Sequence, residues 1–262
     1  MNLELKNRTA LVCGSTQGIG KAVAAELAAL GANVTLVARN EATLKEVKAS
    51  LPATGQQIHT YISADFNDPA RLGELVSSFI QRNGPVNILV NNTGGPPSGR
   101  ILDAATADFE TVFRQHLLCN HVLVQACAEG MKNSRYGRII NIISTSVKQP
   151  LPNLGVSNTI RAAVANWAKT LANELGKFGV TVNNVLPGAT ETGRLKTLIA
   201  TKSEKTGRSE TELAAEMKRE IPLGRFADPS EVAAAVAFLA SPAGAYINGI
   251  NLPVDGGRTS SL

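Results

Sequence analysis

Short apolar segments alternate along the chain with longer segments in which apolar residues recur three and four positions apart. Apolar runs bounded by turn residues predict strands, and the 3.6-residue repeat predicts helices. The predicted strands are at residues 9–13, 33–38, 58–64, 86–90, 138–143, 180–186 and 249–254. The predicted helices are at residues 21–30, 41–50, 69–82, 106–132, 157–176 and 231–240.

This alternation of strand and helix predicts an α/β fold built on one parallel sheet. Strands that are apolar on both faces must be covered on both faces, so we expect helices on each side of a doubly wound, Rossmann-like sheet. No Pro- or Ser-rich linker, charge block or repeat interrupts the pattern. We therefore expect residues 1–262 to form a single dinucleotide-binding domain.

One polar segment, residues 190–225, contains no predicted strand. Ligands of doubly wound proteins bind at the carboxyl edge of the sheet, and inserts at that edge often close over them. We therefore expect a helical lid in this segment. A solvated helical hairpin with no role in ligand binding is the alternative.

The composition is that of a globular protein, since 44% of the residues are hydrophobic and 18% are charged, which excludes a disordered chain. The net charge of +5 suits an anionic cofactor but is too diffuse to indicate a nucleic-acid partner. Cys13, Cys119 and Cys127 lack metal-ligand spacing, so we expect free thiols and no metal. The N-terminal residues lack the apolar core of a signal peptide, and no apolar run approaches the ~20 residues of a membrane span. We expect a cytoplasmic protein with no membrane partner.

A glycine-rich turn follows the first predicted strand and leads into the first predicted helix. Its residues are Gly14, Ser15, Thr16, Gln17, Gly18, Ile19 and Gly20. Glycine lets the backbone approach a pyrophosphate closely, and the free N–H groups of a helix N-terminus stabilise its charge. The GxxxGxG spacing differs from the GxGxxG dinucleotide fingerprint. Its position between strand and helix nevertheless predicts nucleotide binding.

The end of the second predicted strand bears on which nucleotide is bound. An acidic residue there would accept hydrogen bonds from the ribose hydroxyls of NAD. This chain has Arg39 and Asn40 instead. Because a guanidinium pairs well with a 2′-phosphate, we expect NADP rather than NAD. A surface arginine without a cofactor role is the alternative for Arg39.

Together with residues further downstream, these features resemble the short-chain dehydrogenase/reductase family over essentially the whole chain. The glycine turn is similar to the family's glycine motif, residues 91–94 (Asn-Asn-Thr-Gly) to its Asn-Asn-Ala-Gly turn, and residues 254–257 (Val-Asp-Gly-Gly) to its C-terminal signature. Among its members the chain is most similar to the 3-oxoacyl-acyl-carrier-protein reductases. The resemblance implies further cofactor-binding residues: Asp65, Phe66, Asn91, Asn92, Thr93, Gly94, Pro187, Gly188, Thr190 and Thr192.

The family moves a hydride between a nicotinamide and a carbonyl or alcohol carbon with an Asn, a Ser and a Tyr-x-x-x-Lys pair. Ser144 is similar in position to the serine. Ser157 and Arg161 align with the tyrosine and lysine, and His116 aligns with the asparagine. Residues four apart share one face of a helix, so Ser157 and Arg161 are expected to bind substrate or cofactor ribose together.

The usual proton donor is missing, because the only tyrosines, Tyr61, Tyr136 and Tyr246, are not within a helical turn of Ser157. Loss of a positioned general acid typically lowers a rate by about 10²–10⁴. A histidine with a pKa near ~6.5 could protonate an alkoxide directly or through water, and His116 is the natural candidate for this role. A packed or interfacial histidine is the alternative.

Three functions remain in view at this point. The first is an NADP-dependent oxidoreductase with atypical proton delivery, acting on a small carbonyl or acyl-thioester substrate. The second is an NADP-binding sensor or partner subunit with lost or impaired catalysis. The third is an enzyme with a changed reaction, in which Arg161 holds an anionic substrate. The resemblance implies a homotetramer or homodimer formed through residues 106–132 and 157–176.

Overall fold

Parallel strands form the central sheet of the computed structural model, which describes residues 1–53, 55–96 and 98–261. Within these residues the sheet has seven strands in the order β3-β2-β1-β4-β5-β6-β7. They are β1 (Thr9–Cys13), β2 (Asn33–Ala38), β3 (Thr60–Ser63), β4 (Ile88–Asn91), β5 (Gly137–Ile142), β6 (Val180–Pro187) and β7 (Asn251–Val254). The predicted doubly wound α/β fold is confirmed. Because the strand order reverses between β1 and β4, the ligand crevice is expected at their carboxyl ends.

Helices cover both faces of this sheet. They are α1 (Gly18–Ala29), α2 (Glu41–Ser50), α3 (Pro69–Asn83), α4 (Thr106–Phe113), α5 (Cys119–Asn133), α6 (Gly155–Leu175), α7 (Gly193–Thr206), α8 (Glu210–Arg219) and α9 (Pro229–Ala240). In β1, Ala10 and Val12 pack into a core formed with α1, α2 and α9, whereas Leu11 and Cys13 pack into a core formed with α3, α5 and α6. Successive side chains of a strand point to opposite faces, which explains why the strand segments are apolar throughout.

The long helix predicted at residues 106–132 contains an interruption. A π-helical turn, Arg114–Leu118, separates α4 from α5 and carries the buried His116. The prediction of one regular helix was wrong at this point. A π-helical turn contains about one residue more than an α-helical turn, and the apolar periodicity of the helices on either side does not reveal it.

The strand-free segment, residues 190–225, forms α7 and α8. The two helices share a small apolar core with Leu195, Ile199 and Leu213 at its centre. The helical insert is therefore present at the carboxyl edge of β6, and its role as a lid stays a prediction. In the described part of the chain, no helix combines the length and apolar character needed to cross a membrane.

Candidate active site

The turn after β1 is shaped for the close approach of backbone to a ligand. Gly14 has a φ of +58°, in the left-handed region that favours glycine. A Cβ at Gly20 would lie 2.2 Å from the carbonyl oxygen of Gly14, so no other residue fits there without a shift of the backbone. Gln17, the N-cap of α1, makes no side-chain hydrogen bond to the first turn. The N–H groups of that turn are thus available to a pyrophosphate, and the turn fits a dinucleotide.

The remaining residues of the turn have different environments. Ser15 is fully buried, and its hydroxyl donates to the carbonyl oxygen of Val37 on β2 at 3.5 Å. Ile19 is half-buried and packs against the core formed with α1. Gly18 faces the segment that follows β6, because a Cβ at Gly18 would lie 3.1 Å from Cγ2 of Thr192. The glycine turn and the start of α7 therefore form opposite walls of one cleft.

The residues predicted to bind the adenosine portion follow β2 and β3. Arg39 and Asn40 are both exposed, and Asn40 caps α2 by accepting from the backbone N–H of Thr43 at 3.0 Å. Asp65 is also exposed, and its Oδ1 accepts from the backbone and side-chain N–H groups of Asn67. The adjacent Phe66 is half-buried. Since β2 and β3 are paired in register, these side chains share one end of the carboxyl edge.

Four asparagines form a hydrogen-bonded row across the adjacent strands β4, β5, β6 and β7. The amide Nδ2 of Asn91 donates to Oδ1 of Asn141, Asn141 donates to Asn184, and Asn184 donates to Asn251, each at 2.8 Å. Asn91 is only 2% exposed, so its side chain links strands instead of facing the cleft. Burial therefore does not favour the predicted contact of Asn91 with a cofactor. The sequence analysis missed this row, although an asparagine inside each of four apolar strands was the available signal.

Asn92, the next residue, ties the turn after β4 to the glycine turn. Its Nδ2 donates to the carbonyl oxygens of Cys13 at 3.2 Å and Gly14 at 3.3 Å. The half-buried Thr93 and the exposed Gly94 continue this turn. Asn92 therefore positions both turns of the cleft relative to each other.

His116 contacts the turn after β4 through both ring nitrogens. Its Nδ1 lies 2.7 Å from the hydroxyl of Thr93 and its Nε2 lies 3.1 Å from the carbonyl oxygen of Gly94. A neutral ring satisfies both, with Nε2–H donating to Gly94 and Nδ1 accepting from Thr93. Burial, followed by the nearby charge of Arg161, lowers the pKa of His116 to about 3. The expectation of an imidazole with an ordinary pKa is corrected, because the site favours the uncharged ring.

Ser144, Ser157 and Arg161 meet near the carboxyl end of β5. Arg161 is only 8% exposed, and its Nη1 donates to the carbonyl oxygens of Ile142 at 3.2 Å and Ile143 at 2.9 Å. Its Nε donates to the hydroxyl oxygen of Ser157 at 3.3 Å. The predicted sharing of one helix face by Ser157 and Arg161 is thus present. Half-buried Ser144 follows directly after Ile143, and its hydroxyl oxygen accepts from the N–H of Ser146 at 3.1 Å.

Arg161 is a buried cation. Burial, followed by the charge of Arg194, lowers its pKa to about 10, which leaves the guanidinium protonated at neutral pH. Arg194 was not among the predicted site residues, because the charges of the strand-free segment nearly cancel in sequence. In the structure it lies on α7, and its Nη2 donates to the carbonyl oxygen of Pro96. It therefore spans the cleft from the insert to the turn after β4.

The residues after β6 pack against β7. The N–H of Gly188 donates to the carbonyl oxygen of Val254 at 2.9 Å, directly after the half-buried Pro187. Thr190 is 5% exposed, and its hydroxyl donates to the carbonyl oxygen of Gly188 at 3.1 Å. Thr192 is the N-cap of α7 and accepts from the N–H of Leu195 at 3.3 Å. This segment therefore leads from the edge of the sheet directly to the insert.

The three tyrosines lie away from this cluster. Tyr136 precedes β5 and donates to the carbonyl oxygen of Ala240, so the length of β5, roughly 20 Å, separates it from Ser144. Tyr61 is on β3, four strands from β5 in the sheet, and Tyr246 is fully exposed. No tyrosine in the described residues takes the place of a proton donor beside Ser157.

Comparisons with known proteins support the fold. Residues 14–259 match the family model described as enoyl-(acyl carrier protein) reductase. The chain is 34% identical over 259 residues to the 3-oxoacyl-(acyl-carrier-protein) reductase FabG of Vibrio cholerae, covering 98% of each protein. It is 36% identical over 256 residues to a ketoacyl reductase described as putative, from the granaticin polyketide synthase of Streptomyces violaceoruber, covering 95% of this chain and 92% of that protein.

A solved structure of similar form is the L-sorbose reductase of Gluconobacter frateurii complexed with NADPH and L-sorbose. The TM-score is 0.93 at 29% sequence identity, and the match covers 100% of each chain. Sequence and structure therefore agree over the same length. The chain belongs to the short-chain dehydrogenase/reductase family of nicotinamide-dependent oxidoreductases.

Proposed function

We propose that this protein is an NADP-dependent reductase of small carbonyl or acyl-thioester substrates that delivers a proton without a tyrosine. The oxidoreductase class and the use of NADP are confirmed by the relatives described above, among them a reductase complexed with NADPH. The observation that carries the finer proposal is the anchored Arg161 guanidinium, held at the end of β5 immediately before Ser144. In this proposal the alkoxide develops beside this fixed positive charge.

The chain's own residues account for cofactor binding in this proposal. The N-terminus of α1 and the glycine turn hold the pyrophosphate, Arg39 pairs with the 2′-phosphate, and Asp65 contacts the adenine. Arg161 and Ser157 bind the nicotinamide ribose. When bound, NADPH supplies the hydride, which the protein itself cannot provide. The surrounding residues orient the substrate and stabilise the charge that hydride transfer creates.

Ser157 is proposed to donate a hydrogen bond to the developing alkoxide. Its oxygen already accepts from Nε of Arg161, so its own hydroxyl proton remains free to donate. The buried guanidinium stabilises negative charge on the substrate oxygen, as preorganised cations do in sites shielded from water. The proton reaches the product from water through this hydroxyl, and Ser144 provides a second hydroxyl at the end of β5.

His116 takes a changed role in this scheme. With a pKa of about 3 its ring is uncharged near neutral pH and cannot serve as a general acid there. We propose that the neutral ring fixes the turn after β4 by accepting from Thr93 and donating to the carbonyl oxygen of Gly94. It is a positioning residue for the nicotinamide side of the cleft.

The second candidate, an NADP-binding sensor or partner subunit, has its own supporting observation. In the described residues no tyrosine lies near Ser157, and the pKa of His116 is too low for its ring to serve as a general acid at neutral pH. A protein that kept its cofactor site but lost its catalytic groups would have the same arrangement of residues. Only turnover separates the two functions.

The test is NADPH oxidation with a panel of ketones and 3-oxoacyl thioesters, measured for the natural protein and for the variant Ser157→Tyr/Arg161→Lys. Thr159→Tyr, an exposed position on the same helix, is the matched control for the added tyrosine. Turnover by the natural protein supports the reductase. Turnover by the double variant alone, with NADPH binding intact in both, supports the sensor instead.

We further propose that residues 1–262 act as one dinucleotide-binding domain in the cytoplasm and assemble as a homotetramer or homodimer. The end of α4 and the π-helical turn after it expose Phe113 and Leu118, each at 38%, which suits an interface between copies. Light scattering on the purified protein tests the assembly, and a mass of one chain would contradict it.

A further inference from the structure

Two arginines at the candidate active site lie without acidic partners. Surface arginines of this chain do pair with carboxylates, as Arg225 does with Glu231 at 2.6 Å. Within the described residues, neither Arg161 nor Arg194 forms such an ion pair, and both donate only to neutral oxygens. Arg138, another buried arginine, differs because it stacks on the ring of Tyr136 at 4.2 Å, near the opposite end of β5.

The two guanidiniums approach one region of the cleft from different elements. Arg161 reaches it from α6 along the last carbonyl groups of β5, and Arg194 reaches it from α7 over the turn that follows β4. Since β4 and β5 are neighbours in the sheet, these two carboxyl ends lie side by side. Arg194 also lies over Gly95, where a Cβ would be 3.2 Å from its Nε, directly beside the Gly94 carbonyl oxygen that His116 contacts. Consistent with this placement, the charge of Arg194 contributes to lowering the pKa of Arg161.

A pair of like charges in a partly buried site is unfavourable unless an anion compensates it. The hydrogen bonds of Arg161 within the described chain engage Nε and Nη1, and that of Arg194 engages Nη2. The guanidinium donors beyond these suit a carboxylate, which accepts hydrogen bonds through two oxygens. The described protein residues do not provide the compensating negative charge, so it must come from a bound ligand.

We infer that the substrate is a small oxo acid, whose carboxylate is held between Arg194 and Arg161 while its carbonyl group lies beside Ser157 and Ser144. This inference rests on the proposed function and names its substrate class. It also gives the insert a specific task, since α7 provides Arg194. A neutral ketone of the same shape would leave both cations uncompensated.

A phosphate of the cofactor is the other source of negative charge. The pyrophosphate is expected at the N-terminus of α1, and the 2′-phosphate at Arg39 beyond β2. In the sheet, β2 lies three strands from β5, which corresponds to about 14 Å. Arg161 therefore lies away from the expected positions of both cofactor phosphates. The experiment separates the two sources, because replacing Arg194 would change the affinity for NADPH only if Arg194 contacts a phosphate of the cofactor.

The experiment compares kcat/KM for 2- and 3-oxo acids with kcat/KM for their methyl esters, in the natural protein, Arg194→Gln and Arg194→Lys. Truncating one member of a desolvated charge pair typically weakens binding by about 30-fold or more. We expect the natural protein to prefer the acids by about that factor, Arg194→Gln to lose the preference, and Arg194→Lys to keep part of it. Lys202→Gln, an exposed position on the same helix, is the control for removal of one positive charge.

Binding is measured separately by calorimetry, titrating malonate and the neutral malonamide into the protein saturated with NADP⁺. Malonate binding that Arg194→Gln abolishes supports the inference even if no oxo acid is reduced, in which case the proposed reductase function fails alone. Equal turnover of acids and esters overturns the inference and leaves the reductase intact. A loss of NADPH affinity in Arg194→Gln without a change in acid preference also overturns it, since the arginine would then serve the cofactor.

Discussion

The buried state of His116 makes a quantitative prediction about acid stability. Its pKa falls from an ordinary 6.5 to about 3, because the folded protein buries the ring away from water and places the charge of Arg161 nearby. In the unfolded chain the ring takes up a proton as the pH falls through about 6.5, whereas in the folded chain it stays neutral. The unfolded state then binds more protons, so the free energy of unfolding decreases as the pH falls.

The magnitude follows from the separation of the two pKa values. Each unit of pH below the unfolded pKa and above the folded one is worth about 1.4 kcal/mol, so lowering the pH from 7 to 5 should remove about 2 kcal/mol. His116→Asn has no proton to gain and should lack this component. The two proteins are to be compared by urea unfolding at pH 7 and pH 5. The quantity of interest is the difference in the pH-dependent loss, not the absolute stability.

His121→Asn is the matched control, since His121 lies on the same helical segment and accepts from Nε1 of Trp167 at 3.4 Å. This variant should retain the loss attributed to His116. If the natural protein and His116→Asn lose the same free energy of unfolding between pH 7 and pH 5, the buried neutral imidazole is not present in solution. The positioning role proposed for His116 would then have no basis.

Three further changes test the cofactor cleft and the sheet beneath it. Gly20→Ala should weaken NADPH binding and destabilise the fold by about 1–3 kcal/mol, because its Cβ would lie 2.2 Å from the Gly14 carbonyl oxygen. Gly193→Ala, with open space around the new Cβ, is the control. If fluorescence titration with NADPH and thermal unfolding give the same results for both variants, the backbone of the turn is not as closely packed as described. Asn141→Leu should lower the free energy of unfolding, measured in urea, by about 2–5 kcal/mol, because Nδ2 of Asn91 and Oδ1 of Asn184 would lose their partner. An unchanged urea midpoint would rule out the asparagine row as a stabilising feature. Arg39→Ala should raise the Kd of NADPH far more than that of NADH, and equal weakening of both would contradict the 2′-phosphate assignment.

Local pattern predicted a large part of this molecule. The strand at 9–13, the helix at 41–50 and the strand at 33–38 have the predicted bounds, since each is a short element with clear turn or capping residues on both sides. The glycine turn was found for the same reason, because a strand, a turn and a helix that follow each other directly in the chain are a local arrangement. The predicted and observed ends of an element differ where no side chain caps the helix. The first helix was predicted from residue 21, whereas α1 begins at Gly18 without a side-chain cap.

The site itself was predicted less completely. Ser157 and Arg161 could be placed on one helix face, because four residues make one turn of a helix whatever surrounds it. The asparagines of the row were visible in the sequence, but their hydrogen bonds could not be predicted. Asn91, Asn141 and Asn184 are about 40 to 50 residues apart and meet only through strand register.

What the sequence alone determined is the alternation of strand and helix, the glycine-rich turn after β1 and the absence of a tyrosine beside Ser157. These depend on neighbours in the chain, whose contacts are set by the periods of helix and strand. Only the tertiary structure decided that the pKa of His116 is lowered and that the charge of Arg194 acts on Arg161. Burial and charge at a point in space depend on every element packed around it, and here those elements, the turn after β4, α6 and α7, come from three distant parts of the chain. The chemistry available to the cleft is therefore a property of the packing of those elements.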